Sequence, residues 1–182
     1  MALIKLSKSS INSKEIQSVV KVLRKEFLGM GKEVISFENL LTKYFKRETV
    51  CLVNGFSALH IALEACGIGE NDEVLVPSLT YVATFQAISA SGAKPIPCDV
   101  DLENLNISID DIKKKITKKT KAIMPVWFAG NPAGLKDIYR LAKKKKLRVI
   151  EDAAHAFGSK INNKIIGSFG DICCFSFDGI KN

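Results

Sequence analysis

The residues of this chain with the most chemistry to offer are an amine, a carboxylate and a glycine turn, each at the end of an apolar run. Lys181 stands near the end of Cys174-Phe175-Ser176-Phe177-Asp178-Gly179-Ile180-Lys181-Asn182. An amine placed after a strand can form a Schiff base with a carbonyl group if its surroundings depress its pKa; by residue preference alone it is a solvated surface group. Asp152 directly follows Val149-Ile150-Glu151. A carboxylate there is either the partner of a cation such as a protonated ring nitrogen, because an unpaired buried charge is costly, or the N-cap of a helix over 153–157. Glu151, one residue earlier in a strand, points to the opposite face. In Asn54-Gly55-Phe56-Ser57 an apolar run meets a helix, so Ser57 and neighbouring amides either bind an anion such as phosphate or make a tight turn. Tyr81, five residues beyond Val76, either stacks on a flat ring or joins the core. His155 is equally open, whereas His60 among Leu59, Ile61 and Leu63 reads as structural.

These residues need a scaffold, and the hydrophobic pattern supplies one. Asn12 with Glu15 forms a capping box ahead of Ile16, Val19, Val20, Leu23 and Phe27 at helical spacing, ended by Gly29 and Gly31. A second amphipathic helix over 32–45 carries Val34, Phe37, Leu41 and Tyr44 or Phe45 on one face. From residue 50 the pattern changes to short apolar runs at 50–53, 73–76, 95–98, 122–126, 149–151 and 172–177, read as buried strands. Helices are expected between them over 57–66, 82–90, 110–116 and 135–145, and 159–166 reads as a small hairpin turning at Asn162-Asn163. Such alternation predicts an α/β fold with a mainly parallel sheet flanked by helices on both faces. Ligands of such sheets bind beyond the carboxyl ends of the strands, which is where Ser57, Tyr81, Trp127, Asp152, His155 and Lys181 fall.

Composition bounds the partners. The formal net charge of +8 comes largely from lysines at 113–115, 118, 119, 121 and 143–146. They fall at helix ends without interleaved aromatics, a solvated face rather than a nucleic-acid surface. No apolar run is long enough for a membrane span and the first ten residues lack the pattern of a signal peptide. The odd number of cysteines, five, with no CxxC pair, suggests neither a disulfide framework nor a metal site, and the expected location is cytoplasmic. A nucleotide-sugar dehydrogenase would need GxGxxG after its first strand, which is missing here.

Taken together, Asn54-Gly55-Phe56-Ser57-Ala58-Leu59-His60, the run 72–84 from Asp72 to Thr84, Lys119-Thr120-Lys121-Ala122-Ile123, Ile150-Glu151-Asp152-Ala153-Ala154-His155 and Gly167-Ser168-Phe169-Gly170-Asp171 closely resemble the DegT/StrS family of nucleotide-sugar aminotransferases, in family order and spacing. The resemblance implies a fold-type-I large domain for pyridoxal 5′-phosphate (PLP), incomplete at its C-terminus. Residues 1–48 would be a helical segment packing on it, residues 49–182 part of the PLP-binding domain, and the small C-terminal domain would be absent. It implies Lys181 as the covalent cofactor lysine, Asp152 as partner of the pyridinium nitrogen, and Ser176, Phe56 and Ser57 as phosphate contacts. Tyr81 would stack on the ring and His155 would lie near the cofactor's phenolic oxygen. Three positions depart from the family: Phe56 replaces a threonine, Trp127 stands where histidine is common, and Asp178 occupies a position often held by histidine.

The implied activity is transfer of an amino group from an amino acid, glutamate in this family, to a nucleotide-linked keto sugar in amino-sugar and surface-polysaccharide biosynthesis, by a homodimer. Family dehydratases carry histidine at the lysine position, so Lys181 points to transamination. The alternative is a truncated, non-catalytic fragment of such an enzyme.

Overall fold

The computed structural model describes residues 9–181, which separate into two compact units: one comprises the residues up to Cys51 with Asp178–Lys181, the other Leu52–Phe177. In the first unit α1 (Ser13–Leu23) opens on the capping box expected from sequence: the Asn12 side chain accepts the Lys14 amide at 2.8 Å and the Asn12 amide donates to Glu15 Oε2 at 2.8 Å. Its apolar stripe is nevertheless on the surface, with Ile16, Val19, Leu23 and Phe27 all more than half exposed. Helix α2 (Lys32–Phe45) does bury Leu41 and Phe45 and ends on Lys46 in the left-handed conformation.

The apolar run 50–53 was expected to be the first strand; the structure corrects this. The Cys51 amide donates to Glu38 Oε1 at 2.7 Å instead of to a neighbouring strand, and Val50 and Val53 are exposed. A strand exists only where a partner takes up its backbone groups, and none of the ladders includes this segment.

The second unit begins with α3 (Gly55–Ala65) and then alternates: β1 (Glu73–Pro77), α4 (Val82–Ala90), β2 (Lys94–Cys98), α5 (Ile109–Lys115), β3 (Thr120–Ile123), a 3₁₀ turn at Phe128–Gly130, α6 (Leu135–Lys145), β4 (Arg148–Asp152), the hairpin β5 (Lys160–Ile161) and β6 (Lys164–Ile165), and β7 (Ile172–Cys174). The five longer-range strands form one sheet in the order β2-β1-β3-β4-β7, every neighbouring pair parallel. The short β5–β6 pair is antiparallel, turning through Asn162 and Asn163, both at positive φ. Pro95 and Pro97 confine β2 to an edge, because a proline cannot donate to a second neighbour.

Side chains alternate across the strands and build a core on each face. Val74, Val76, Ala122, Met124 and Ile150 pack with Leu59, Leu63, Ala87 and Ile88 of α3 and α4. Leu75, Ile123 and Val149 pack with Ile112 of α5 and Leu135, Ile138 and Ala142 of α6. The chain leaves β1 for β2 with α4 on one face, then returns past β1 to β3 and β4 with α5 and α6 on the other. The reversal of strand order falls between β1 and β3, and crevices of open α/β sheets form at the carboxyl ends of strands at such a point.

Candidate functional site

Asp152 is the last residue of β4 and is 6% exposed. Its position is fixed from both sides. Its amide donates to the Pro125 carbonyl at 2.9 Å and its carbonyl accepts the Trp127 amide at 3.0 Å, while β7 pairs Cys174 with it. The period-2 geometry turns its carboxylate to the face of Ile150, toward α3 and α4. There Thr84 Oγ1 donates to Oδ2 at 2.8 Å and the Ala154 amide donates to Oδ1 at 3.1 Å. Thr84 is fully buried in the first turn of α4, and Thr80 Oγ1 lies 2.7 Å from its hydroxyl. Neither threonine had been marked as a site residue, although Thr84 sits three residues after Tyr81 and so one helical turn along the same face. The helix-cap role considered for Asp152 is not realised: the residues after it form turns, not an α-helix.

Glu151 faces the other way, as the strand period requires. It is 1% exposed and accepts from Trp127 Nε1 at 2.8 Å and from the Tyr139 hydroxyl at 2.6 Å. Tyr139 in turn accepts the Asp171 amide at 2.9 Å, and burial together with the Glu151 charge pushes its phenol far above the usual range. Arg148 grips the Asp171 carboxylate with two nitrogens, at 2.6 and 2.7 Å. Trp127 is thus a buried hydrogen-bond donor beneath the site. Gly170, at φ +88°, lies so close that an added Cβ would collide with the Tyr139 hydroxyl and come 2.8 Å from Glu151 Oε1. Gly170→Ala is therefore expected to lower stability by more than the ~1–2 kcal/mol of a left-handed alanine alone. Chemical denaturation checks this: a midpoint unchanged from wild type contradicts it.

The turn into α3 gathers the next residues. Asn54 is its N-cap and accepts the Ser57 amide at 2.8 Å. That engages the Ser57 amide, so the donors this turn offers an anion are the Gly55 and Phe56 amides and the Ser57 hydroxyl, reinforced by the helix dipole. The Phe56 ring packs against the core and sits 5.9 Å from the His60 ring. Ser176 follows β7, two residues beyond the partner of Asp152, and a Cβ on Gly55 would lie 3.4 Å from Ser176 Cβ. Ser176 and the α3 turn therefore adjoin at the same sheet edge as Asp152. Tyr81 is the residue before α4 and is 72% exposed, so the core reading for it does not hold. His155 stands edge-on to Phe128 with ring centroids 5.9 Å apart.

Lys181 belongs to the other unit. Its amide donates to the Asp178 carbonyl at 2.8 Å, and the Ile180 amide donates to Asp178 Oδ1 at 3.1 Å, an aspartate turn that presents the lysine. The Ser9 hydroxyl donates to the Gly179 carbonyl in the same unit.

A buried carboxylate, a helix N-terminus and a hydroxyl thus lie at the carboxyl edge of a parallel sheet, the edge at which open α/β folds bind ligands. Residues 9–182 match the DegT/DnrJ/EryC1/StrS aminotransferase family, and the chain belongs to that family. It is 45% identical to the GDP-perosamine synthase of Escherichia coli O157:H7, over all of this chain and 50% of that protein. It is 32% identical to the dTDP-4-dehydro-2,3,6-trideoxy-D-glucose 4-aminotransferase of Saccharopolyspora spinosa, over 98% of this chain and 47% of that protein. Among solved structures, Spr1654 of Streptococcus pneumoniae, described as a sugar aminotransferase and captured in its PLP form, superposes with a TM-score of 0.93 at 31% identity, covering 98% of this chain and 50% of that one. The chain spans about half the length of the curated relatives it matches. Among the described residues no helix is long and apolar enough to cross a membrane.

Proposed function

We propose that this chain carries the PLP-binding part of a sugar aminotransferase, which moves an amino group from an amino-acid donor, glutamate, to a nucleotide-linked keto sugar. The observation that carries the reading is Asp152: a buried carboxylate at the ligand edge of the sheet, held by Thr84 and the Ala154 amide. A carboxylate held there as an acceptor of hydrogen bonds suits a cationic ring nitrogen, whose charge it favours. The α3 turn with Ser176 beside it suits a phosphate. The residues present thus fit both ends of PLP, a group that, when bound, supplies an electron sink for breaking a bond at the donor's α-carbon.

Each residue has a role in this reading. Asp152 keeps the proton on the ring nitrogen. Tyr81 would cover one face of the ring and His155 would lie near its phenolic oxygen. Phe56, through its amide, and Ser57 and Ser176, through their hydroxyls, hold the phosphate. Lys181 would hold the cofactor covalently and serve as the general base for the donor's α-proton. Residues 1–48 are a helical segment and 49–182 part of the large domain. The protein acts in the cytoplasm as a homodimer.

The coverage of about half of each relative favours a second reading, in which these residues alone bind the cofactor and complete no transfer. One experiment separates the two. On mixing with PLP, either reading gives a visible absorbance band; on adding glutamate, only the first converts that band to the ultraviolet absorbance of the aminated cofactor. No band with PLP refutes both.

A further inference from the structure

Thr84 is fully buried in the first turn of α4, and its hydroxyl has a single proton, which it donates to Asp152 Oδ2 across 2.8 Å between the oxygens. The Thr80 hydroxyl, 2.7 Å away, must then be the donor of its contact with Thr84. The result is a directed chain, Thr80 to Thr84 to Asp152, in which each O–H strengthens the next inside a low-dielectric environment. Its direction suits an ionised, acceptor-only carboxylate. It spans 68 residues of sequence and ties the strand that presents the carboxylate to the helix whose preceding residue is Tyr81.

We propose that Thr84 is the positioning residue for Asp152: its hydroxyl, itself supported by Thr80, holds the carboxylate in the orientation in which it keeps the proton of a cationic ring nitrogen. This rests on the PLP reading above. Two further features support it. The backbone of Asp152 is already fixed by Pro125 and Trp127, so the side-chain torsion is the freedom that remains, and Thr84 Oγ1 and the Ala154 amide engage opposite oxygens of the carboxylate. Thr84 touches no cofactor itself; it acts through Asp152.

The test uses Thr84→Val, which keeps the shape and removes the hydroxyl, and Thr84→Ser, which keeps the hydroxyl. Thr84→Ala removes the hydroxyl without adding a methyl where an alternative packing is needed. The measurements are the PLP dissociation constant, the wavelength of the bound cofactor's visible band and the melting temperature of the cofactor-free protein. A hydrogen bond to a charged group implies about a tenfold weaker PLP affinity for Thr84→Val and Thr84→Ala, with a displaced band. Thr84→Ser should stay within about twofold of wild type with the band in place. Val and Ala variants that bind PLP as wild type does, or a Ser variant that loses as much as Val, overturn the proposal. A wild-type protein that gives no band with PLP instead overturns the functional reading and this inference with it.

Discussion

Asp152→Asn is expected to lower glutamate-driven amino transfer by on the order of a hundredfold while leaving PLP bound. The amide keeps the shape of the carboxylate but has a single acceptor oxygen, so it can accept from only one of the two donors, Thr84 at 2.8 Å or the Ala154 amide at 3.1 Å, which engage opposite oxygens of Asp152. In the proposed function, what it loses is the negative charge that would keep the ring nitrogen protonated, and with it the ring's capacity to accept the electrons of the breaking bond. A hydrogen bond to a charged group contributes about 1.5–3 kcal/mol, and with about 1.4 kcal/mol per tenfold in rate this is roughly ten- to a hundredfold or slightly more. Single-turnover rates with glutamate measure the effect. A near-normal rate would mean that Asp152 serves only to organise the turn after β4. The fold should survive the change, because both cores lie along the sheet faces and Asp152 is at the strand end.

Lys181→Ala is expected to have the largest effect. In the proposed function it removes both the covalent attachment of the cofactor and the base for the α-proton, and general acid–base catalysis alone contributes about 10²–10⁴-fold. Borohydride reduction of the PLP-loaded wild type followed by peptide mapping should label Lys181, and the alanine variant should not be labelled. Label on another lysine at full cofactor occupancy removes the central claim. The test discriminates well, because the chain has many lysines, most of them on exposed helix ends such as 143–146.

Much of the fold and part of the candidate site could be read along the chain. Helix α4 spans Val82–Ala90, the range its apolar pattern gives, and the Asn12–Glu15 cap opens α1 where the motif places it. The prolines of β2 mark an edge strand, and period 2 alone turns Glu151 and Asp152 to opposite faces. All of these depend on neighbours within a few residues, whose spacing the sequence states outright. The motif blocks named the candidate site residues by type and order. What sequence could not give is which distant surfaces meet. Thr84 and Asp152 are 68 positions apart and Trp127 and Glu151 are 24 apart; each pair exists only because the sheet order brings β4 beside β3 and lays α4 and α6 on opposite faces. The same limit explains the corrections. The run 50–53 has the composition of a strand, yet the Cys51 amide goes to Glu38. The stripe on α1 has the period of a buried face, yet Ile16, Val19 and Phe27 are exposed. Local pattern determines which groups can be paired or buried, and the tertiary structure decides whether a partner is there, because a hydrogen bond or an apolar contact is made only by two groups brought within a few ångströms of each other.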